Sequence, residues 1–487
     1  MVTLAGNGTC TRPNDSRLLA GARPLPLDTR CGLTRTPQAA RLGPGGDAAL
    51  AELRGWLTAR GAVLEGARPA VLAGGLRGLA ATADASSGAL LLSVPLSATL
   101  SAATFSGAEG LREAVAGSEE EPQLYLSTLV VLYELLLTPT RSPWTAYLRT
   151  LPRDFSELPI FFQDARPDGA PRLWTRLATL APLVAAQRDE VSTLRPLLRR
   201  AVLRLPGGAA ALAPLSETLF AELADWAWAV ARTRMLDQPV SAFARGEELL
   251  PEGSLKAPTL MPFLDLCNHA EPGSANTQIL SDDRILFHAK RDIKAGEELR
   301  FTYIDSVGDA LADASLRDEQ CDAQWLSHYG FLLADGRPER DCWHFQLDLP
   351  ALRAVTRLPP GARQRLRDAA LELSVATVMD GSGTLWVGLL RWLAVAADTH
   401  SAKVPWGHTW AADADAWQLL VLTLHAQRSE LANALAEAEV LGERDGGDGH
   451  NVRQLTKGAL RAAEAAQGAA QAGAARMRER GSINLEP

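Results

Sequence analysis

The segment Met261-Pro262-Phe263-Leu264-Asp265-Leu266-Cys267-Asn268-His269-Ala270 is an apolar run that ends in Asn-His, with an aspartate three residues ahead of the asparagine. Asn and Asp at the end of an apolar strand carry both donors and acceptors, which suits them to hold a polar ligand. Downstream lies Gly296-Glu297-Glu298-Leu299-Arg300-Phe301-Thr302-Tyr303, a turn that opens a strand with Leu299, Phe301 and Tyr303 on one face and Arg300 and Thr302 on the other. Then comes Trp325-Leu326-Ser327-His328-Tyr329-Gly330-Phe331. Upstream, Gly74-Gly75-Leu76-Arg77-Gly78-Leu79 precedes an apolar strand, Ala89 to Val94, ended by Pro95. Its glycines let backbone approach something closely. Each stretch also has a plain structural reading: a turn at Asn-His, a strand aromatic at Tyr303, core packing at Tyr-Gly-Phe, a β-turn at the glycines.

The whole chain has 487 residues, 47% apolar and 22% charged, the balance of an ordinary globular protein. It accommodates roughly two to four domains at about 100–200 residues each, with cores large enough to need no disulfide or metal. Forty-nine basic against 57 acidic residues give a net charge of −8, which argues against a protein whose main task is gripping nucleic acid. No uncharged apolar run approaches the ~18–20 residues of a membrane span. The longest candidate, Leu124 to Leu137, is interrupted by Ser127, Thr128 and Glu134 and reads as a core helix. Cysteines 10, 31, 267, 321 and 342 form no C-x-x-C pair and lie near no histidine at zinc-finger spacing, so they read as reduced thiols. The chain has no Walker loop, no His-Glu-x-x-His, no Gly-x-Ser-x-Gly and no strand-linked Gly-x-Gly-x-x-Gly.

The pieces differ in character. Residues 1–48 hold six Arg, no Lys, no Glu and three Asp, a net +3 without apolar periodicity. That composition fits either an organelle transit peptide or a disordered tail. Leu50, Leu53 and Leu57 predict a short helix closed by Gly61. Residues 107–235 read as mostly helical, with Phe220, Leu223, Ala227 and Val230 on one face of a helix reaching Arg232 and Arg234. Trp144 to Phe162 is proline-punctuated and reads as an irregular aromatic loop. Beyond Asp341 the chain reads as α-helical: Leu371, Val375 and Val378, then Trp386 to Val395, then Trp417 to Leu441, a loop over 442–449, and an Ala-rich helix over 459–476.

In this order the four stretches resemble the SET-domain methyltransferases. Gly-Leu-Arg-Gly-Leu at 75–79 matches the family's opening, Asp265-x-x-Asn268-His269 its Asn-His motif, and Gly296-Glu-Glu-Leu followed by Tyr303 its catalytic tyrosine segment. The long helical insert and helical C-terminal region resemble the branch typified by the Rubisco large-subunit lysine methyltransferase. Motifs cover about residues 68–335 of this sequence; 341–487 match by position and helical character. The resemblance implies an α+β fold with a pseudoknot that brings Asn-His beside the tyrosine. It implies a SET domain over 49–340 with its insert at about 107–235, then an all-α substrate-binding domain over 341–487.

It also implies a site. Backbone near Leu76 and Arg77 would line an S-adenosylmethionine pocket, and Arg234 would hold the cofactor's carboxylate. Asp265, Asn268 and His269 belong to the cofactor motif, with Asn268 and His269 binding the methionyl amine and the adenine edge. Tyr303 would be catalytic, Tyr329 would wall a substrate-lysine channel, and Phe331 would border the adenine. No metal is implied, and the cysteine clusters that flank many histone-directed SET domains are absent. The expected activity is protein-lysine N-methylation of a non-histone protein; the alternatives are histidine methylation and an inactive binding scaffold. The expected partner is a protein with a target lysine, with no nucleic acid and no membrane, and the expected state is a monomer. The expected location is the chloroplast, otherwise cytoplasm or nucleus. Two departures concern the substrate side: Ala270 to Asn276 contains no aromatic, and 305–318 is acidic and Ala-rich.

Overall fold

The structure is a computed structural model. It describes residues 46–72, 77–116, 123–138, 141–165, 169, 171–177, 179–250, 252, 256–270, 273–281, 283–303, 322–332, 342–345, 377–380, 425, 427–439 and 448–483. The Arg-rich segment 1–45, Leu76, the acidic run 305–318 and the expected helices at 371–376 and 386–395 lie outside them.

The predicted first helix is Gly46–Thr58, and its Leu50, Leu53 and Leu57 are buried at i, i+3 and i+7. The strands up to residue 304 are β1 (Ala67–Val71), β2 (Arg77–Ala81), β3 (Leu90–Pro95), β4 (Leu100–Ser101), β5 (Leu236–Pro239), β6 (Lys256–Leu260), β7 (Asn268–His269), β8 (Thr277–Ser281), β9 (Arg284–Ala289) and β10 (Glu298–Phe301). They form three small sheets, ordered β1-β2-β10-β7, β3-β9-β8 and β4-β6-β5. Nearly all pairings are antiparallel. The exception is β7 with β10, which run parallel with Arg300 opposite Asn268 and Phe301 opposite His269. That pairing produces the juxtaposition expected of the pseudoknot, Asn-His beside the tyrosine segment.

The predicted helical insert contains Leu111–Val115, Gln123–Leu137, Thr145–Leu148, Ala181–Arg204, Gly208–Leu212 and Glu217–Arg234. Ser216 caps the last of these by accepting from the Leu219 amide. Phe220, Leu223, Ala227 and Val230 are buried as the spacing predicts. Gln123–Leu137 is buried nearly all round, Ser127, Thr128 and Glu134 included. Among the described residues no helix is long and apolar enough to cross a membrane. A single buried cluster runs from Leu50 through the insert to Phe301, so insert and sheets share one core.

The C-terminal region corrects one expectation. Residues 342–345 and 377–380 form two short strands, β11 (Cys342–Phe345) and β12 (Thr377–Asp380), paired antiparallel. Val378 therefore lies in a strand, not a helix. Its β-branched neighbours suit an extended backbone as well as a helical one, and over so few residues the two periods are hard to tell apart. A helix covers 427–439, inside the predicted Trp417 to Leu441 span. The Ala-rich helix is longer than predicted, Asp448–Ile483. Val452, Leu455, Ala459, Ala462 and Ala463 are buried along it, as are Leu431, Ala434, Leu435 and Ala438 of the 427–439 helix, and ion pairs of Arg428 with Glu464 and of Lys457 with Glu439 join the two helices.

Candidate active site

The site gathers where β2, β7 and β10 meet. Asn268 projects from β7, and its Nδ2 donates to Glu298 Oε1 at 3.0 Å and to the Arg77 carbonyl at 3.3 Å. Gly78 is what permits this. A Cβ there would stand 2.8 Å from Asn268 Nδ2 and 2.4 Å from Leu72 Cδ1. Between β6 and β7 the chain turns at Phe263, the one described non-glycine residue with positive φ (φ 76°, ψ −44°). Such a backbone costs about 1–3 kcal/mol and persists only where its surroundings fix it; here Phe263 is fully buried. The turn carries the chain into Leu264–Leu266 and delivers Asp265, Cys267 and Asn268 to the site in sequence.

On one side one guanidinium group pairs with a carboxylate and a second lies within reach of its charge. Arg234, at the end of the Glu217–Arg234 helix, donates from Nη1 to the Asp265 carbonyl at 2.8 Å and stands 3.5 Å from Asp265 Oδ2. The Asp265 side chain is 5% exposed and accepts a 2.8 Å hydrogen bond from the Tyr147 hydroxyl on the same Oδ2. Arg77 donates to the Thr150 carbonyl at 2.9 Å. Burial, then the charge of Arg234, pulls Arg77 below the ordinary arginine value, while Asp265 partly restores it. Arg234 Nε is buried with no hydrogen-bond partner. A buried unpaired donor costs free energy unless something accepts from it, so this patch, with one charge in excess, fits an anionic group.

On the other side aromatic rings form a wall. Tyr303 packs against Phe301 (5.1 Å between centroids), His269 (5.2 Å) and Tyr329 (5.4 Å). Its hydroxyl donates to the Cys267 carbonyl at 2.9 Å, and its backbone N–H donates to His269 Nδ1 at 3.2 Å. Burial, and secondarily Cys267, pushes the phenol above its ordinary value, so it stays a neutral donor. The Cys267 thiol is itself buried, donates to the Leu299 carbonyl at 2.8 Å and is pushed up by burial, which makes it inert. Trp325 and Tyr329, one turn apart on the helix Asp322–Tyr329, stack at 4.7 Å, and Trp325 lies 4.6 Å from His269. Gly330, at φ +80°, ends that helix where a Cβ would meet the Glu157 carbonyl at 3.2 Å. Phe331 then lies 5.8 Å from Trp325 and 6.0 Å from Tyr329.

Thus Arg77, Arg234, Asp265, Asn268, His269, Tyr303, Tyr329 and Phe331 converge. One detail differs from the sequence reading. Tyr303 does not continue the strand face of Leu299 and Phe301: β10 ends at Phe301, because the Tyr303 amide bonds the His269 ring instead of a ladder carbonyl. Asp265 contacts Arg234 and Tyr147. Two members were missed. Trp325 could have been found from its i, i+4 spacing to Tyr329; Tyr147 sits in the stretch read as an irregular loop and carries no local signal. Among the described residues no group of three or more His, Cys, Asp or Glu could hold a metal.

The comparisons agree with this geometry. The SET domain family model matches residues 77–304. No curated protein sequence matches the chain. Among solved structures, the chain resembles the SET domain of LSMT bound to lysine and AdoHcy, with a TM-score of 0.59 and 16% identity over 88% of this chain and 93% of that one. It also resembles Rubisco LSMT bound to AdoMet (TM-score 0.55, 16% identity, 88% and 93% covered) and Rubisco LSMT bound to sinefungin and monomethyllysine (TM-score 0.56, 17% identity, 88% and 93% covered). These likenesses are of fold.

Proposed function

From the premise that residues 77–304 are a SET domain, we propose that this protein is an S-adenosylmethionine-dependent protein-lysine N-methyltransferase acting on a non-histone protein. The observation that carries the reading is the pairing of a buried, unsatisfied arginine edge with a neutral tyrosine hydroxyl across one small site. S-adenosylmethionine, when bound, supplies a methyl group on a sulfonium. Arg234 Nε would meet its carboxylate in a charge-assisted bond. Asn268 uses Nδ2 within the protein, which leaves its amide oxygen to accept from the amine. His269 and Phe331 would border the adenine.

Tyr303 would orient the lysine nitrogen, and its fixed dipole would oppose developing charge. The nitrogen must be neutral to attack. Removing the proton from an ordinary lysine at pH 7 costs about 3.4 × 1.36, or ~4.6 kcal/mol. The rings of Tyr303, Tyr329 and Trp325 would surround the nitrogen with apolar surface, and the loss of water there disfavours an ammonium. Methyl transfer should therefore rise with pH as the lysine deprotonates. No falling limb from Tyr303 is expected below about pH 10, because its folded value lies above that of a free phenol. A pH–rate profile on a lysine peptide checks this; a falling limb below pH 10 that disappears in Tyr303→Phe would contradict it.

Gly78→Ala is expected to fold, because the end of Leu72 can yield, but to displace Asn268. Stability should fall by about 1–3 kcal/mol, the scale of overpacking, and cofactor affinity should fall with the displaced amide; calorimetry on the folded variant decides. Residues 341–487 would recognise the protein substrate. The Asp448–Ile483 helix supports this by reaching the site's edge, where Asn451 donates to the Gly330 carbonyl at 3.3 Å. A folded chain ending near 340 that methylates the whole substrate at the full rate would remove that role. The reading as a whole is tested by incubating protein and isotope-labelled S-adenosylmethionine with a proteome. Label on lysine is expected; label confined to histidine, or none, would overturn it.

A further inference from the structure

Tyr147 is 0% exposed, and nothing in the reaction described above requires it. It is nevertheless held in place with care. The Ser142 hydroxyl donates to the buried Glu134 carboxylate at 2.6 Å, and the Trp144 amide donates to Ser142 Oγ at 3.0 Å. Trp144 packs on Trp56 of the first helix at 5.2 Å. One turn on, Tyr147 donates to Asp265 Oδ2 at 2.8 Å, and the carbonyl of Thr150 accepts from Arg77 at 2.9 Å. The short Thr145–Leu148 helix is thereby tied to both charged partners of the arginine site.

The geometry of the carboxylate is the informative part. An aspartate beside an arginine ordinarily closes into a two-bond fork with it, as Asp225 does with Arg195 at 2.8 Å for both bonds. Asp265 does not. Its Oδ2 stands 3.5 Å from Arg234 Nη1, and Arg234 Nε has no hydrogen-bond partner. The same Oδ2 is engaged by the phenol of Tyr147. Burial, and then Asp265 itself, pushes that phenol well above its ordinary value, so the proton stays on Tyr147.

We propose that Tyr147 is a positioning residue that holds the Asp265 carboxylate back from the Arg234 fork, keeping the buried Nε unpaired for the carboxylate of an amino-acid ligand. The proposal rests on the reading of Arg234 as the cofactor's carboxylate partner. Without the Tyr147 hydroxyl, Asp265, already 3.5 Å from Arg234 Nη1, rotates onto the Nε edge and occupies it from within. The effect is specific to the ligand's amino-acid end and leaves its adenosine end alone.

The test is calorimetry on the full chain with two ligands, S-adenosylhomocysteine and 5′-methylthioadenosine, which lacks the amino-acid end. Tyr147→Phe is expected to weaken S-adenosylhomocysteine about tenfold, the scale of a lost charge-assisted bond, and to leave methylthioadenosine within about twofold. Adding Asp265→Asn to Tyr147→Phe should restore the affinity, since no carboxylate remains to close on Arg234. Wild-type affinity in Tyr147→Phe, equal losses for both ligands, or a loss that Asp265→Asn does not relieve would overturn the proposal. If Tyr147→Phe does not fold, Asp265→Asn alone decides: it should bind S-adenosylhomocysteine at least as tightly as wild type, and weaker binding overturns the idea. Arg234→Lys separates the two levels, because it keeps a charge for Asp265 but loses the fork. A folded wild type without S-adenosylhomocysteine binding, or an Arg234→Lys variant with unchanged binding, sinks the cofactor reading itself. Selective loss in Arg234→Lys with none in Tyr147→Phe sinks only the role of Tyr147.

Discussion

Replacing Tyr303 by phenylalanine is expected to lower methyl transfer at least about a hundredfold, the range for loss of a positioned polar catalytic group. Almost no volume is removed. The ring keeps its contacts with Phe301, His269 and Tyr329. The backbone bond to His269 Nδ1 is independent of the side chain and survives. What disappears is the hydroxyl and its bond to the Cys267 carbonyl, worth about 1 kcal/mol of stability. Melting and cofactor affinity should thus move little while single-turnover transfer collapses. Undiminished turnover in a folded Tyr303→Phe variant would mean that another group carries the chemistry.

Asn268→Ala is expected to weaken cofactor binding by about 1–3 kcal/mol, roughly 5- to 150-fold. Two effects add. The amide oxygen proposed for the ligand amine is lost, and Glu298 Oε1 and the Arg77 carbonyl lose their shared donor. The second effect loosens β2 against β10 at the pocket's floor. Titration of S-adenosylhomocysteine into the folded variant reads the sum. Affinity equal to wild type would place the amine elsewhere.

Much of this site could be read in the residues alone because its chemistry sits at strand ends and turns. Asn268-His269 closes an apolar run, Gly78 marks a close approach, and Tyr329-Gly330-Phe331 ends a helix; each leaves a local trace in residue type. The rest left none. Tyr147 and Asp265 meet across 118 residues of sequence, and no periodicity of either segment encodes that meeting. Tyr303 alternates correctly with Leu299 and Phe301, so the pattern alone extends the strand. Only the His269 ring, arriving from another segment, takes its amide out of the ladder. The β11–β12 pair was missed for a different reason. Short apolar stretches with β-branched residues satisfy both helical and extended backbones, and tertiary context decides between them.

The same topology bears on how the protein folds. The bonds that define the site join residues 191 apart (Asn268 to Arg77), 118 apart (Tyr147 to Asp265) and 73 apart (Arg77 to Thr150). Each closes a long loop whose entropy is lost before the contact returns anything, and such contacts slow folding. The insert helices can form on local contacts, but the pocket can exist only after β2, β7 and β10 have met. A chain emerging from the ribosome therefore has no complete cofactor site until residue 331 has been made and placed. A ligand that binds only the finished pocket stabilises by mass action, about 2.7 kcal/mol at a hundred times its dissociation constant. Because the pocket is a knot of distant segments, that stabilisation is spread over the whole core from Leu50 to Phe301. S-adenosylmethionine would thus act as a fastener of the domain as well as its methyl source, and slow amide exchange on addition of ligand should extend to the first helix.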